Sequence, residues 1–486
     1  MFSPITQPMS WFQEKRVTVM GLGSFGGGVG VAEFLCRAGA YVTVTDLKSE
    51  EVLKSSVEKL KDRPIRWVLG EHREEDFLEA DLVVASPAIP RSAPLIKLCA
   101  EKKVPLETEM NLFFKYCRGR ICAVTGSNGK TTTTSLLAEM AKKRWPNLRS
   151  GGNMGRSLLP EVSQIKDDEW VVLELSSFQL DDLASIDRRP EISIVTNVSP
   201  NHLDRHGDYL SYLEAKRRIL EPPGERPGSR DATRGIAIIN GDDAGLRDWA
   251  GWTKRAVWYF GQTSSVVPSA RGVWVDVTME RGEEAVFRSQ GSERVPLFSG
   301  SDLQLRGRFN LLNAAGASAA ASCMGVEPKE ILEALREFRP VSHRLELFHV
   351  DSGIEFFDDS IATTPESSIA ALEALGPKVH LICGGSSKGC SFDTLAEAIR
   401  RKAKCVYLIG STATEIEDAL LARPEAPPID RAQNLKTAVA TAKSVAQPGD
   451  RILLSPACPS YDQFENFVER GEEFKRMVRE LSGAPA

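Results

Sequence analysis

Between positions 121 and 140 the chain reads ICAVTGSNGKTTTTSLLAEM. A β-branched, apolar run ends at a glycine, a loop of small polar residues follows, and Leu136 and Leu137 then continue as part of a helix. Strand, glycine loop and helix in that order make a phosphate cradle. The backbone of Gly126, Ser127, Asn128 and Gly129 faces the anion at the start of the helix that carries Lys130, Thr131 and Thr132; Lys130 adds a cation, and the Thr131 hydroxyl can join a magnesium ion. The glycine spacing is shorter than the usual GxxxxGK[ST], but the context is that of a nucleoside triphosphate site, with a degenerate loop as the competing reading.

Working outward, WVVLELSSFQL follows from position 170 and sets Glu174 among apolar residues. Beside a phosphate loop such a carboxylate can hold magnesium; without one it reads as a partly exposed acid at a strand end. Next comes EISIVTNVSPNHLDRHGDYLSYLEAKRRIL from position 191, a strand ending near Thr196, a polar loop with His202, Asp204 and His206, and a helix carrying Lys216. Catalytic or metal duty is expected of His202 and not of His206. Further on, in LRGRFNLLNAAGAS from position 305, Asn310 and Asn313 share one helical face. Contact with a base or ribose competes there with capping and polar surface positions.

Upstream, RVTVMG from position 16 is strand-like and leads into LGSFGGGVGVAEFLCRAG and a second strand, YVTVTD, ending at Asp46. Gly21, Gly23 and Gly26 have the GxGxxG spacing of a βαβ opening, which suits a nucleotide or pyrophosphate pocket or a tight structural turn. The next strand, DLVVASPAIP, places Ser86 at the edge where such folds bind ligands. Downstream, IEFFDD, VHLICGGSSKG, CVYLIG and RILLSPACPSYDQF repeat the strand-to-polar-loop pattern, so a third α/β unit is expected. Arg344 and Lys388 in it can bind carboxylates or phosphates, or stay solvated. The boundaries read as 1–116, 117–335 and 336–486.

Composition agrees. Across 486 residues, 42% are hydrophobic and 26% charged, which excludes collagen-like, disordered and coiled-coil chains. With 61 Lys and Arg against 66 Asp and Glu, a net charge of -5, and no banked basic stripe, no nucleic-acid partner is expected. Nine cysteines form no CxxC pair, and no window has the length of a membrane span or signal segment, so a cytoplasmic protein without an integral membrane segment is expected.

Taken in order, GSNGKTTTT, GGNMGRSLL from Gly151, ELSSFQL from Glu174, NVSPNHLDRHG from Asn197, the helix with Lys216, HRLE from His343, DSIATTPE from Asp359, GGSSKG from Gly384 and SPACPSYDQFENFVERGEEF from Ser455 closely resemble the Mur ligases. The resemblance spans essentially the whole chain and is strongest to glutamate-adding members. It implies an α/β, three-domain Mur ligase: a Rossmann-like N-terminal domain for the UDP-sugar, a central P-loop ATPase-like domain, and a C-terminal Rossmann-like domain for the amino acid. It also implies a monomer that uses ATP and Mg2+ to join UDP-N-acetylmuramoyl-L-alanine and glutamate through an acyl phosphate, in peptidoglycan precursor synthesis.

By the same resemblance, Gly23, Ser24, Phe25, Gly26, Asp46, Ser86 and Asn153 would bind the UDP-sugar. Lys130, His202 and a carbamylated Lys216 would be catalytic. Thr131, Glu174, His202 and Lys216 would serve the metal. Asn310, Asn313, Arg344 and Asp359 would join the loop residues 126–132 around ATP, and Thr363, Lys388, Ser460, Tyr461 and Phe467 would hold glutamate. The chain departs from the family pattern at Phe309, where a histidine is usual, at Ile361, where a lysine is usual, and at Tyr461, where a smaller aliphatic residue is usual. Other Mur ligases, a folylpolyglutamate synthase and an ATP-dependent binding protein without turnover are the alternatives. The Gly21–Gly26 spacing with Asp46 favours a UDP-sugar over folate.

Overall fold

Three sheets organise the computed structural model, which describes residues 8–23, 26–199, 206–221, 235–262, 271–277, 284–290, 293–305, 307–339, 342–387 and 390–483. The first contains β1 (Arg16–Met20), β2 (Tyr41–Asp46), β3 (Ile65–Leu69), β4 (Leu82–Ala85) and β5 (Leu106–Glu107). All pairings are parallel and the order is β3-β2-β1-β4-β5. The chain winds outward from β1 in one direction and returns through β4 on its other side. Their C-terminal ends therefore border the crevice in which doubly wound sheets bind ligands.

The second sheet holds β6 (Arg120–Thr125), β7 (Arg149–Gly152), β8 (Trp170–Glu174), β9 (Ile192–Val195), β10 (Ile236–Asn240), β11 (Ala256–Gly261), β12 (Gly272–Val277), β13 (Glu284–Gln290) and β14 (Glu293–Ser299). In the order β14-β13-β12-β11-β10-β9-β6-β8-β7, β6 lies between β9 and β8, and the pairings are parallel except β12 with β13 and β13 with β14. The apolar runs of β6, β8 and β9 are buried along nearly their whole length, as strands covered by helices on both faces must be. These two sheets belong to one compact unit, residues 1–302 with 312–336. Apolar side chains of both sheets share one cluster, in which Phe12, Val17 and Val84 lie with Ile121, Leu159 and Leu173, while Met20, Phe77 and Val83 belong to a separate one.

The second unit, residues 303–311 with 337–486, is built on β15 (Glu346–Asp351), β16 (Ile354–Asp358), β17 (Val379–Gly384), β18 (Ala403–Ile409), β19 (Ile429–Gln433) and β20 (Arg451–Leu454). The order is β15-β16-β20-β17-β18-β19, parallel except for β15 against β16. Alternation along the strands divides the core: Phe357, Leu381 and Leu453 pack on one face, Phe356, Ile382 and Leu454 on the other. Among the described residues, no helix is long and apolar enough to cross a membrane. All nine cysteines are free thiols.

Candidate nucleotide and ligation site

The loop after β6 leads into the helix Lys130–Arg144, whose N-cap is Gly129. Its φ of 80° is left-handed, and a Cβ there would overlap Asn313 Oδ1, so the loop can close on Asn313 only with glycine. The loop is held from β9 as well. Asn128 N–H donates to Asn197 Oδ1 at 2.9 Å, and Thr196 Oγ1 donates to Asn128 O at 2.6 Å. The Ser127 hydroxyl donates to Ser199 O (3.0 Å), lies 2.8 Å from Tyr212 OH and accepts from Ser199 N–H (2.9 Å). Lys130 Nζ bonds Gly126 O (2.9 Å) and Ser127 O (2.8 Å), which keeps its charge on the loop. Thr131 stands half-buried in the first helical turn, and the buried Thr132 hydroxyl has no hydrogen bond among the described residues.

Because β8 neighbours β6, Glu174 ends beside this loop. It is 2% exposed, which overturns the reading of a partly exposed acid. One oxygen accepts from Asn153 Nδ2 at 2.8 Å, and Asn153 N–H bonds the Glu174 carbonyl at 2.9 Å. The other oxygen is buried without a donor among the described residues, a setting that fits a divalent cation. Lys216, on the helix Tyr209–Arg217, is also 2% exposed and not a surface lysine. Its amine donates to Gly126 O (2.7 Å) and lies 4.9 Å from the centre of the Tyr212 ring. Burial pushes it well below the ordinary lysine value, the Lys130 charge adds to that, and Glu174 opposes it. His206 bonds Ser177 Oγ at 3.0 Å and stacks on Phe178, consistent with a packed side chain. His202 lies outside the described residues.

At the first sheet, Asp46 points inward. Its Oδ2 accepts from Leu22 and Gly23 N–H (2.9 and 3.2 Å) and its Oδ1 from Lys48 N–H (3.0 Å), so the carboxylate anchors the glycine turn from below. Gly26 caps the helix Gly27–Arg37, and Ser86 N–H bonds Met20 O at 2.9 Å, joining the loops after β1 and β4. Ser24 and Phe25 lie outside the described residues.

In the second unit the loops after β16, β17 and β20 end side by side, because those strands adjoin. Asp359 is buried. Its oxygens accept from Ser455 Oγ (2.7 Å) and Leu345 N–H (3.0 Å). Burial pushes its carboxyl up to about 7, against the Ser455 hydrogen bond and the Arg344 charge. Arg344 is half-buried, its Nε without a hydrogen-bond acceptor among the described residues. Buried Arg470 donates to Ser360 Oγ, Ser360 O and Cys458 O at 3.0, 2.8 and 3.1 Å, tying the loop that carries half-buried Thr363 to the one before buried Ser460. Tyr461 is 68% exposed, and Phe467 opens the helix Phe467–Leu481. Lys388 lies outside the described residues. Asn310 and Asn313 are both buried, not polar surface positions. Their helix, Arg308–Cys323, runs from one unit into the other, so Asn310 belongs to the second and Asn313 to the first.

Against known families, residues 15–107 match the Mur ligase MurD-like N-terminal domain, 124–321 the Mur ligase middle domain and 343–458 the Mur ligase glutamate ligase domain. Over 475 residues the chain is 39% identical to the UDP-N-acetylmuramoylalanine--D-glutamate ligase of Roseiflexus sp., covering 96% of this chain and 99% of that protein. The chain belongs to the Mur ligase family. Another relative, the enzyme of the same name from Koribacter versatilis, is 36% identical over 468 residues, with 96% and 98% covered. Among solved structures, the UDP-N-acetylmuramate-alanine ligase MurC of Thermotoga maritima shares the fold of this Mur ligase: TM-score 0.64, 21% identity, 96% of this chain and 100% of that one. The expected α/β fold of three Mur ligase domains holds.

Sequence reading missed several residues of this Mur ligase that shape its loops. Thr196, Asn197, Ser199 and Tyr212 brace the phosphate loop, yet their only signal was membership of the strand end, polar loop and helix that follow position 191. Arg470 lies in the first turn of the helix Phe467–Leu481, and nothing in ERGEEF marks it as buried.

Proposed function

We propose that this Mur ligase joins D-glutamate to UDP-N-acetylmuramoyl-L-alanine, converting ATP to ADP and phosphate, as a monomer in the cytoplasm. The observation that carries this reading is the convergence of a braced phosphate loop, buried Glu174 and buried Lys216 on the end of β6, in a chain similar along nearly its whole length to D-glutamate ligases.

A carboxylate is a poor acyl donor because its leaving group would be an oxide. Transfer of the ATP γ-phosphoryl to the alanyl carboxylate oxygen gives an acyl phosphate. The glutamate amine then attacks the carbonyl carbon, loses a proton, and phosphate departs from the tetrahedral intermediate to leave the amide. Amides of residues 126–132 and the Lys130 ammonium hold the phosphates in line and neutralise charge as it shifts. Mg2+, when bound, supplies Lewis-acid neutralisation of phosphate oxygens, and Thr131, Glu174, His202 and Lys216 are the residues that would hold it. Burial favours a neutral Lys216 amine, the form that reacts with carbon dioxide to give an anionic carbamate.

In this assignment, residues 1–116 bind the UDP-sugar through Gly23, Ser24, Phe25, Gly26, Asp46 and Ser86, with Asn153 from residues 117–335. Asn310 and Asn313 face adenine, Asp359 the ribose and Arg344 the phosphates. Thr363, Lys388, Ser460, Tyr461 and Phe467, within residues 336–486, receive glutamate. The test is isotopic: with 18O in the alanyl carboxylate, one labelled oxygen must appear in released phosphate. Phosphate without label would refute an acyl phosphate.

A further inference from the structure

Asp46, at the end of β2, stands where doubly wound folds place the acid that takes a ribose hydroxyl. Its carboxylate is turned to the backbone, where it accepts from the N–H groups of Leu22, Gly23 and Lys48. A second polar side chain lies at the same edge of the first sheet. The loop after β3 crosses the end of β2: Gly70 N–H donates to Asp46 O (2.8 Å) and Lys48 O (3.0 Å), and Glu71 makes an antiparallel bridge to Asp46. Gly70 has a φ of 88°, a turn that glycine makes without strain. The crossing brings His72 beside the C-terminal ends of β2 and β3.

The His72 ring is fixed on one side and open on the other. Its Nδ1 lies 2.7 Å from Thr45 Oγ1, and the Thr45 hydroxyl donates to Glu71 O at 3.0 Å. A carbonyl only accepts, so the single hydroxyl proton of Thr45 goes to Glu71 and His72 donates from Nδ1. Buried Phe77, on the helix Glu74–Leu78, meets the ring at 5.9 Å with the two planes nearly perpendicular. Burial keeps the imidazole below its ordinary value, although the Asp46 charge opposes this, so the ring is neutral near pH 7. A neutral ring protonated at Nδ1 carries a lone pair at Nε2, and the geometry of imidazole turns that atom away from Thr45. His72 is half-buried, and Nε2 has no hydrogen bond among the described residues.

A nucleotide on such a sheet lays its pyrophosphate at the start of the helix after β1 and its ribose at the end of β2. With the order β3-β2-β1-β4-β5, the base then extends toward the loop after β3, which carries His72. We propose that His72 reads the uridine of the UDP-sugar, its Nε2 accepting a hydrogen bond from uracil N3–H or from a ribose hydroxyl. This deepens the proposed function and rests on it. Uridine has few donors to offer: N3–H on the base, and the 2′- and 3′-hydroxyls on the ribose. Each can be removed from the ligand one at a time.

The test is calorimetry of the full chain with UDP-N-acetylmuramoyl-L-alanine and with its N3-methyl, 2′-deoxy and 3′-deoxy uridine analogues. The variant is His72→Asn, whose amide nitrogen can keep the Thr45 bond while nothing stands at Nε2. It is expected to bind the unmodified ligand about tenfold more weakly than wild type does, with affinity for a non-hydrolysable ATP analogue within about twofold. One of the three UDP-sugar analogues should bind wild type about tenfold more weakly and lose nothing further in His72→Asn, because the bond it lacks is the one the variant lacks. That analogue identifies the donor: N3-methyl the base, a deoxy ligand the ribose. Unchanged affinity for the unmodified ligand, losses that multiply for all three analogues, or an equal loss of ATP-analogue affinity would each overturn the proposal. Wild-type chain that binds the UDP-sugar and forms no product would count against the proposed function alone, and wild-type chain that does not bind it would overturn both.

Discussion

Replacing Asp359 by asparagine should flatten part of the pH dependence of stability. In the folded chain its buried carboxyl holds a proton up to about 7, against an ordinary value of 3.8 in an unfolded chain. The folded value is the higher one, so this group's contribution is fully present below about pH 4 and is lost as pH rises through about 7. With those two values, linkage costs the folded state about 2 kcal/mol at pH 5 and about 4 kcal/mol at pH 8. Asp359→Asn does not titrate. Its amide oxygen can keep the Leu345 N–H bond, and Ser455 can turn its one hydroxyl proton from residue 359 to Ser368 Oγ, 2.8 Å away, and accept from the amide. Any fixed loss of hydrogen bonding cancels when the same pair is compared at two pH values. Urea unfolding of wild type and Asp359→Asn, followed through the transition of the second unit, should show the stability difference moving by about 2.5 kcal/mol in the variant's favour from pH 5 to pH 8. A difference flat to about 0.5 kcal/mol would refute the burial argument.

Three further outcomes follow from the first unit. Gly129→Ala forces a left-handed alanine costing about 1–2 kcal/mol and overlaps Asn313, so calorimetry should show ATP affinity down at least about tenfold; unchanged affinity would remove the loop from the site. Glu174→Gln keeps an acceptor for Asn153 but loses the charge, so turnover should fall about 100-fold or more while the melting temperature moves little. Raising magnesium should restore part of that rate, and a melting temperature that drops with the rate would instead mark Glu174 as structural. Carbon-13 NMR in labelled bicarbonate should show a carbamate carbonyl in wild type that is missing in Lys216→Arg, and a signal common to both would place it elsewhere.

How much of this was legible in the sequence depends on how local each signal is. The glycine loop, its strand and its helix are consecutive, so residues 121–140 carry their own reading, and β-branched runs marked most central strands. Burial at strand ends was not legible: Glu174 looks the same in sequence whether solvated or covered, and its environment is made by residues 153 and 216. Asp46 lay at the expected strand end, yet its orientation toward the Leu22 and Gly23 amides depends on the three-dimensional turn.

The most direct test of the account is the product itself. Purified chain with ATP, Mg2+, UDP-N-acetylmuramoyl-L-alanine and D- or L-glutamate should yield ADP, phosphate and, from the D isomer, the precursor heavier by one glutamate residue. Phosphate release without that mass, or the same mass only from L-glutamate or another amino acid, would contradict the D-glutamate ligase reading.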